Sequence, residues 1–454
     1  MPVVKSTPVE IKKEHPNNVP AHKTMHEGSK SPRSEHIYQR KLYGLFKQIE
    51  LRITPLPLNE GLIKLSIETF YEAQYGQEPE EISFCPYRIC PIGAHSDHNF
   101  GKITGLAIEK GIRIAYGAME SGAVELVSMQ FEQRARWNVG HVADRPAGDW
   151  ADYLRGATWA LGRRYPLSVG LRGVIEGSLP IGGLSSSAAV IIAFLSALCR
   201  VNGVCLTAQE LIDVAQEAEN QYVGVACGKL DQSCEVLSKK NHLLYLDTLD
   251  GSYELIPQRM DMKPYKIAIF FSGVERTLAG SAFNMRVDEL RSAAYALMAY
   301  AGMDYGKFSE AATRFVPVEI YHRYKSRLPE SWARRAEHWY TEFDRVQRGA
   351  EAWRRGDLEE YGRLSFESGK SSIQNWETGS PELKKLYELM TRTDGIYGGR
   401  FSGAGFKGCC MALIDPAFAE SIERTVSKKY LEAFPGLRGK YSFHLCDSAD
   451  GVSL

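Results

Sequence analysis

The sequence has no excess of charge of either sign: 55 Lys and Arg stand against 55 Asp and Glu. A protein that grips nucleic acid through its phosphates usually shows a basic surplus, so that class is set aside. It has no Cys-x-x-Cys, and its nine cysteines are an odd number scattered along the chain. Neither a disulfide framework nor a zinc knuckle is expected, and thiols in apolar stretches read as reduced and buried, as in a cytoplasmic protein. It has no apolar run long enough for a bilayer; the longest, around Ala188–Cys199, falls short. Its first residues are polar, and no signal peptide is visible. There is no Walker A loop, because the near-match Glu367-Ser368-Gly369-Lys370-Ser371 would need glycine at 364, which is Leu364. There is no complete zinc motif either: His95-Ser96-Asp97-His98 lacks the preceding His, position 93 being Gly93.

What remains is an ordinary globular composition in a chain of 454 residues, enough for two or three domains. Residues 1–35, rich in Pro, Lys, Ser and Asn, read as a disordered tail. Ile37–Ile49 and Leu62–Tyr75 read as amphipathic helices. Ile82–Ile92, Lys102–Leu106, Ile108–Ala118 and Val124–Met129 suggest a β-meander, and Leu171–Ile175 is a further strand. Ala188–Cys199 and Thr207–Tyr222 read as helices, and Leu243–Asp247 and Tyr265–Ser272 as strands. The pattern from Phe283 to about Leu389 is helical, broken at Pro317, Pro329 and Pro381. Phe401–Asp415 returns to loop and strand, Phe418–Tyr430 to helix and Tyr441–Leu445 to strand. The expectation is an α+β protein of two domains, 36–260 and 261–454, with the boundary before Pro264.

The most specific stretch is Gly177-Ser-Leu-Pro-Ile-Gly-Gly-Leu-Ser-Ser-Ser-Ala188, a Gly/Ser loop running into an apolar helix. Glycines allow close backbone approach, serines add hydroxyl donors, and a helix start offers free N–H groups, all of which suit a phosphate. A formal Gly-x-Gly-x-x-Gly occurs at 403–408, but a strand, Cys409–Ile414, follows it where a dinucleotide site needs a helix. It is read as a loop of close approach. A phosphoryl-transfer site further needs oxygen ligands for Mg²⁺, a base for the acceptor hydroxyl and a cation for developing charge.

Three separated motifs occur in order, with Glu219 and the run Cys227-Gly-Lys-Leu-Asp231-Gln232 also falling in the family's order, and through them the chain resembles the GHMP kinase superfamily, galactokinase type. Pro86-x-Arg88-x-x-x-Ile92-Gly93-x-His95-x-Asp97-x-Asn99 is similar to the galactokinase signature, Pro180–Ala188 to the phosphate loop, and Ser402-Gly-Ala-Gly-Phe-x-Gly408 to the third motif. The resemblance implies a two-domain fold, a mixed sheet with helices followed by an α/β sandwich-like domain, with the site in the cleft between them. It implies ATP and Mg²⁺ as cofactors and a small sugar or uronic acid as partner, with no membrane and an open oligomeric state. Asp231 would accept the proton of the anomeric hydroxyl, and Arg88 would hold Asp231 ionised and stabilise the transferred phosphoryl. Gly182, Gly183, Leu184, Ser185, Ser186 and Ser187 would wrap the nucleotide's phosphates, and Trp150, in Trp-Ala-Asp-Tyr153, would lie near adenine. Ser187 and Glu219 would bind Mg²⁺, and His95, Asp97 and Gly228 the sugar.

Departures from the family pattern point to the acceptor. Galactokinases place Glu, which binds the sugar's O6 hydroxyl, where this chain has Ala94. A carboxylate at C6 would be repelled by Glu and tolerated by Ala. This form of the motif is similar to that of plant galacturonokinases. Lys407, Lys229 and Phe283, the last in place of a sugar-contacting Tyr, accompany the change, and the two lysines are candidate partners for a uronate. The expected activity is therefore phosphorylation of D-galacturonate at C1. Galactose phosphorylation and a non-catalytic, galactokinase-like sugar sensor are the alternatives. The phosphate loop is also one residue shorter than the family's Pro-Leu-Gly-Gly-Gly-Leu.

Overall fold

Ser66 opens the first helix by accepting a hydrogen bond from the Thr69 amide, and left-handed Gly76 closes it. The computed structural model describes residues 66–274 and 280–453, with side chains from residue 283 in the second stretch. The expected tail 1–35 and helix Ile37–Ile49 lie outside these residues. The elements begin with α1 (Ile67–Tyr75), β1 (Glu81–Ile89), β2 (Lys102–Met119), β3 (Ala123–Ser128) and β4 (Ala135–Asn138). They continue with α2 (Asp152–Gly162), β5 (Gly170–Gly177), α3 (Ser186–Asn202), α4 (Ala208–Glu217) and α5 (Leu230–Leu237). Next come β6 (His242–Asp247), β7 (Tyr253–Pro257), β8 (Lys266–Phe271), α6 (Gly280–Tyr300) and α7 (Val318–Tyr324). The chain ends with α8 (Glu330–Arg354), α9 (Leu358–Gln374), α10 (Pro381–Met390), β9 (Ile396–Phe401), β10 (Cys409–Ile414), α11 (Ala419–Ala433), β11 (Ser442–Cys446) and β12 (Ser448–Ala449).

The strands of the described residues form two sheets with helices packed on them, the α+β class expected. The first has eight strands along the path β4-β3-β5-β2-β6-β7, with β1 and β12 also on β2. The second has four, in the order β11-β8-β10-β9, all antiparallel. The β-meander is corrected. The segments read as Lys102–Leu106 and Ile108–Ala118 are one 18-residue strand, and β5 enters between β2 and β3, antiparallel to one and parallel to the other. Alternation along a strand reports which face is buried, not which neighbour it pairs with. β2 is long enough to pair in turn with β6, β12 and β5, and so organises the sheet.

Pro317, Pro329 and Pro381 stand at helix starts, where the missing N–H costs nothing. α3 is apolar on nearly every side, with Ala188, Ile191, Phe194, Leu195 and Leu198 fully buried. Such a helix is stable only inside a core, and its N-terminus, where the Gly/Ser loop arrives, is thereby held in a fixed place. The second sheet carries α10 and α11 on a separate apolar cluster that includes Phe270, Leu386, Phe401 and Ile422.

Candidate active site

The Gly/Ser loop and the 403–408 loop are made of glycine because they touch backbone to backbone. Gly182 and Gly183 have φ of 133° and 88°, and Gly403 and Gly408 of 68° and 97°. A Cβ on Gly408 would lie 2.6 Å from the carbonyl carbon of Gly182, and one on Gly183 would lie 2.7 Å from Cys409 Sγ. The 403–408 segment is a turn between antiparallel β9 and β10, as its following strand indicated. Ser185, at the start of α3, is itself left-handed (φ 57°) and forms no side-chain cap. The first amides of α3 are thus left to another acceptor at the mouth of the loop.

Arg88 follows a register shift between Pro86 and Tyr87 in β1, the kind of irregularity that re-aims a side chain. It is buried, and its Nε and Nη2 both lie 2.8 Å from Asp231 Oδ1. Its Nη1 donates to the Gly183 carbonyl at 3.2 Å, which ties the Gly/Ser loop to the same guanidinium. Burial opposes the charge on Arg88, but the Asp231 carboxylate outweighs it and raises the pKa. Asp231 sits in the first turn of α5.

The expected helix Thr207–Tyr222 ends early. α4 stops at Glu217, and a wider π turn, Ala218–Val223, follows. Such turns are rare and recur at functional sites. This one carries Glu219, whose Oε1 accepts from Ser187 Oγ at 2.9 Å and whose Oε2 accepts from Gln232 Nε2 at 3.0 Å. Ser187 and Glu219 offer hard oxygen atoms side by side, as Mg²⁺ requires. Among the described residues no cluster of three or more His, Cys, Asp or Glu could hold a metal. The pair fits an ion that draws its remaining ligands from phosphate and water.

The segment after β1 also lines the site. His95 has φ 65°, its ring stacks on Trp376 at 5.2 Å between centroids, and its buried Nε2 has no hydrogen-bond partner in the protein. Burial, with Arg400 adding to it, pushes its pKa well below the ordinary value, so the ring is neutral. Asp97 Oδ2 accepts from the Leu230 amide at 3.2 Å. Burial first, then the charge of Asp231, pushes the Asp97 carboxyl up to about 6. Gly228 is needed here, since a Cβ would come 2.2 Å from Asp97 Oδ2.

One cleft is lined by Arg88, Ala94, His95, Asp97, Gly182, Gly183, Ser185, Ser186, Ser187, Glu219, Gly228, Asp231, Phe283 and Lys407. Three expected residues are not brought to it. Leu184 is buried in the core beneath the loop. Lys229 Nζ pairs with Asp213 at 2.6 Å, because residues two apart at the start of a helix face different sides and Asp231 faces the cleft. Trp150 stacks on Phe131, centroids 5.8 Å apart, and its Nε1 donates to the Gln133 carbonyl. Two residues passed over in the sequence join the site. Gln232, which follows Asp231, donates to Glu219, and Ser402, whose Oγ lies 3.5 Å from Arg88 Nη1, opens the third motif.

Known proteins share this fold. The family descriptions "GHMP kinases N terminal domain" and "GHMP kinases C terminal" match residues 152–239 and 350–432. The chain is 37% identical over 395 residues to the galacturonokinase of Arabidopsis thaliana, covering 81% of this chain and 92% of that protein. The chain belongs to the GHMP kinase family, galactokinase type. A galactokinase of Roseiflexus sp. (strain RS-1) is 30% identical over 387 residues, covering 84% of this chain and 95% of that one. The crystal structure of Lactococcus lactis galactokinase complexed with galactose superposes with a TM-score of 0.77 at 26% identity, covering 85% of this chain and 98% of that one. As a member of this family the chain is an ATP-dependent sugar kinase that transfers phosphate to a hydroxyl, and the non-catalytic sensor alternative falls away. No helix among the described residues is long and apolar enough to cross a membrane.

Proposed function

We propose that the enzyme phosphorylates D-galacturonate at C1. The observation that carries this reading is Ala94 in the wall of the cleft that Lys407 also lines, beside the unpartnered Nε2 of His95. A glutamate at 94 would set a negative charge against a C6 carboxylate; alanine leaves room for it. The neutral His95 ring can donate one hydrogen bond there, and Lys407 adds positive charge to the same cleft. The similarity to a protein named galacturonokinase supports the same choice.

Both bonds from Arg88 end on Asp231 Oδ1, which leaves Oδ2 to act as base. The anomeric O–H bond breaks as its proton passes to Oδ2. The freed oxygen attacks the γ-phosphorus of ATP, the bond from that phosphorus to the β-γ bridging oxygen breaks, and ADP leaves. Arg88 and the amides of the Gly/Ser loop face the charge that gathers on the transferred group. Mg²⁺, held by Ser187 and Glu219, would offset the charge of the nucleotide's phosphates.

Assay of the purified enzyme with Mg-ATP and a panel of free sugars and uronic acids tests the reading. Galacturonate is expected to give the highest kcat/KM, and Ala94→Glu is expected to reverse the order in favour of galactose by about tenfold or more, the factor for ~1.4 kcal/mol. A wild-type enzyme that prefers galactose overturns the uronate assignment and leaves an ordinary galactokinase.

A further inference from the structure

The loop that follows β1 is held in its shape from outside, by side chains of α8 and α9, two helices that lie between β8 and β9 in the chain. Gly93 has φ 113° and His95 φ 65°, so two of three consecutive residues are left-handed, one of them not glycine. Such a conformation persists only where the surroundings over-determine it. The polar groups of this backbone are met one after another by α8 and α9. Ser365 Oγ donates to the Pro91 carbonyl at 3.0 Å, and Glu342 Oε1 accepts from the Gly93 amide at 2.6 Å. His338 Nε2 lies 3.0 Å from the Ala94 carbonyl, and Trp339 Nε1 donates to the Ser96 carbonyl at 3.2 Å.

His338 and Glu342 are four residues apart on α8 and therefore share one face; both are fully buried. A carbonyl oxygen only accepts, so the proton of His338 is on Nε2, and Nδ1 accepts from Ser371 Oγ at 3.0 Å. Asn375 Nδ2 donates to the same Ser371 oxygen at 3.1 Å. A directed chain thus runs from Asn375 through Ser371 and His338 to the backbone of Ala94. Burial lowers the His338 pKa to about 4, which keeps the ring neutral. Glu342 stays charged: burial opposes this, but Arg345, His338 and Arg400 hold its carboxyl down at about 2. Its Oε2 accepts from Arg345 Nε at 2.8 Å, and its Oε1 is shared with Ser368 Oγ at 2.5 Å and Arg400 Nη1 at 3.4 Å.

We propose that His338 and Glu342 are positioning residues for the acceptor sugar, fixing the backbone of residues 93–95 so that Ala94 leaves space and His95 presents Nε2 to the cleft. This rests on the reading above that the loop faces the sugar. Neither residue reaches the phosphate loop, so the effect falls on sugar affinity and not on ATP.

Steady-state kinetics of His338→Leu and His338→Gln test it, read on whichever sugar the wild-type enzyme uses best. His338→Leu removes the donor to Ala94 and is expected to raise the sugar KM by about tenfold or more, the factor for ~1.4 kcal/mol, with the ATP KM within about twofold. His338→Gln, whose amide nitrogen can stand where Nε2 stands, is expected to recover most of the loss. Ser371→Ala, which leaves the donor but removes its orienting partner, is expected to give a smaller rise in sugar KM; it serves as the milder probe if His338→Leu does not fold. A parallel rise in both KM values, an unchanged sugar KM in His338→Leu and Ser371→Ala, or no recovery with Gln overturns the proposal. Its failure shows in these variant-to-wild-type ratios, whereas failure of the galacturonate reading shows in the sugar preference of the unaltered enzyme.

Discussion

Asp231 and Glu235 are one helical turn apart on α5 and are given opposite surroundings. Asp231 faces the cleft and takes two bonds from Arg88 on a single oxygen. Glu235 is fully buried, and neither of its oxygens has a hydrogen-bond partner. Only the first is placed to receive a proton from a bound hydroxyl. Asp231→Asn retains the shape of that side chain but removes its basicity. Turnover is expected to fall by about 10²–10⁴-fold, the usual share of a general base, while ATP binding measured by calorimetry stays near wild type. An Asn variant with wild-type kcat would exclude Asp231 as the base. Asp231 and Arg88 could be singled out from sequence because each sits within a motif. His338, Glu342 and Arg400 could not. His338 and Glu342 lie in a helix rich in charged residues, where a charged residue ordinarily faces water, Arg400 lies in a glycine-rich strand that carries no motif, and only packing shows that these three are buried.

At the scale of elements, the site depends on two glycine loops that meet backbone to backbone. One precedes α3 and the other joins β9 to β10. Gly408→Ala would force a side chain to φ 97° and within 2.6 Å of the Gly182 backbone. The expected result is a loss of about 1–3 kcal/mol in denaturant unfolding, the usual cost of such strain, together with a higher KM for ATP as the phosphate loop shifts. Unchanged stability and ATP affinity would show that the contact between the loops is dispensable. Helices were legible where prolines mark their starts, as at Pro329 and Pro381. β9 was not, because Gly398 and Gly399 depress its strand signal. A side chain at Gly398 would strike the Gly362 backbone at 2.1 Å, so the glycine is required by α9 lying against the strand. The π turn at Ala218–Val223 was equally hidden, since its residues continue the helical pattern of α4 and only the site geometry selects the wider turn.

For the whole molecule, the buried carboxyl of Glu235 makes stability depend on pH. Burial raises its pKa well above the ordinary carboxylate value, with Asp231 and Glu219 adding to the rise and Arg88 opposing it; Cys85 and Tyr87 are the other titratable groups close by. The native state therefore holds a proton that the unfolded chain releases in the usual carboxylate range. The stability tied to that proton is fully present below this range and is lost as pH rises toward the folded-state pKa, at up to about 1.4 kcal/mol per pH unit for one proton. Glu235→Gln is expected to flatten this decline and raise the unfolding midpoint on the alkaline side, as followed by thermal denaturation across pH. A slope identical to wild type would mean that Glu235 is ionised in the folded protein. The chain's end also reaches this region. β12 pairs with β2 of the first sheet, and the Val452 amide donates to the Glu235 carbonyl at 2.8 Å, so the last residues close over the helix that carries Asp231.

The sequence by itself determined the Gly/Ser loop and the α+β class, which are matters of residue type and local spacing and survive without knowledge of the fold. The Arg88, Glu219 and Asp231 set and the missing charge at Ala94 were legible through the resemblance to the galactokinase type. Tertiary structure alone decided which expected residues share the cleft. Lys407 lines it, while Lys229 is turned to Asp213 and Trp150 to Phe131. It also decided that α8 and α9 would hold the backbone of residues 91–96 from more than two hundred positions away in the chain. Contacts of that kind arise from helices packing on a loop, and no local pattern in either segment encodes its distant partner.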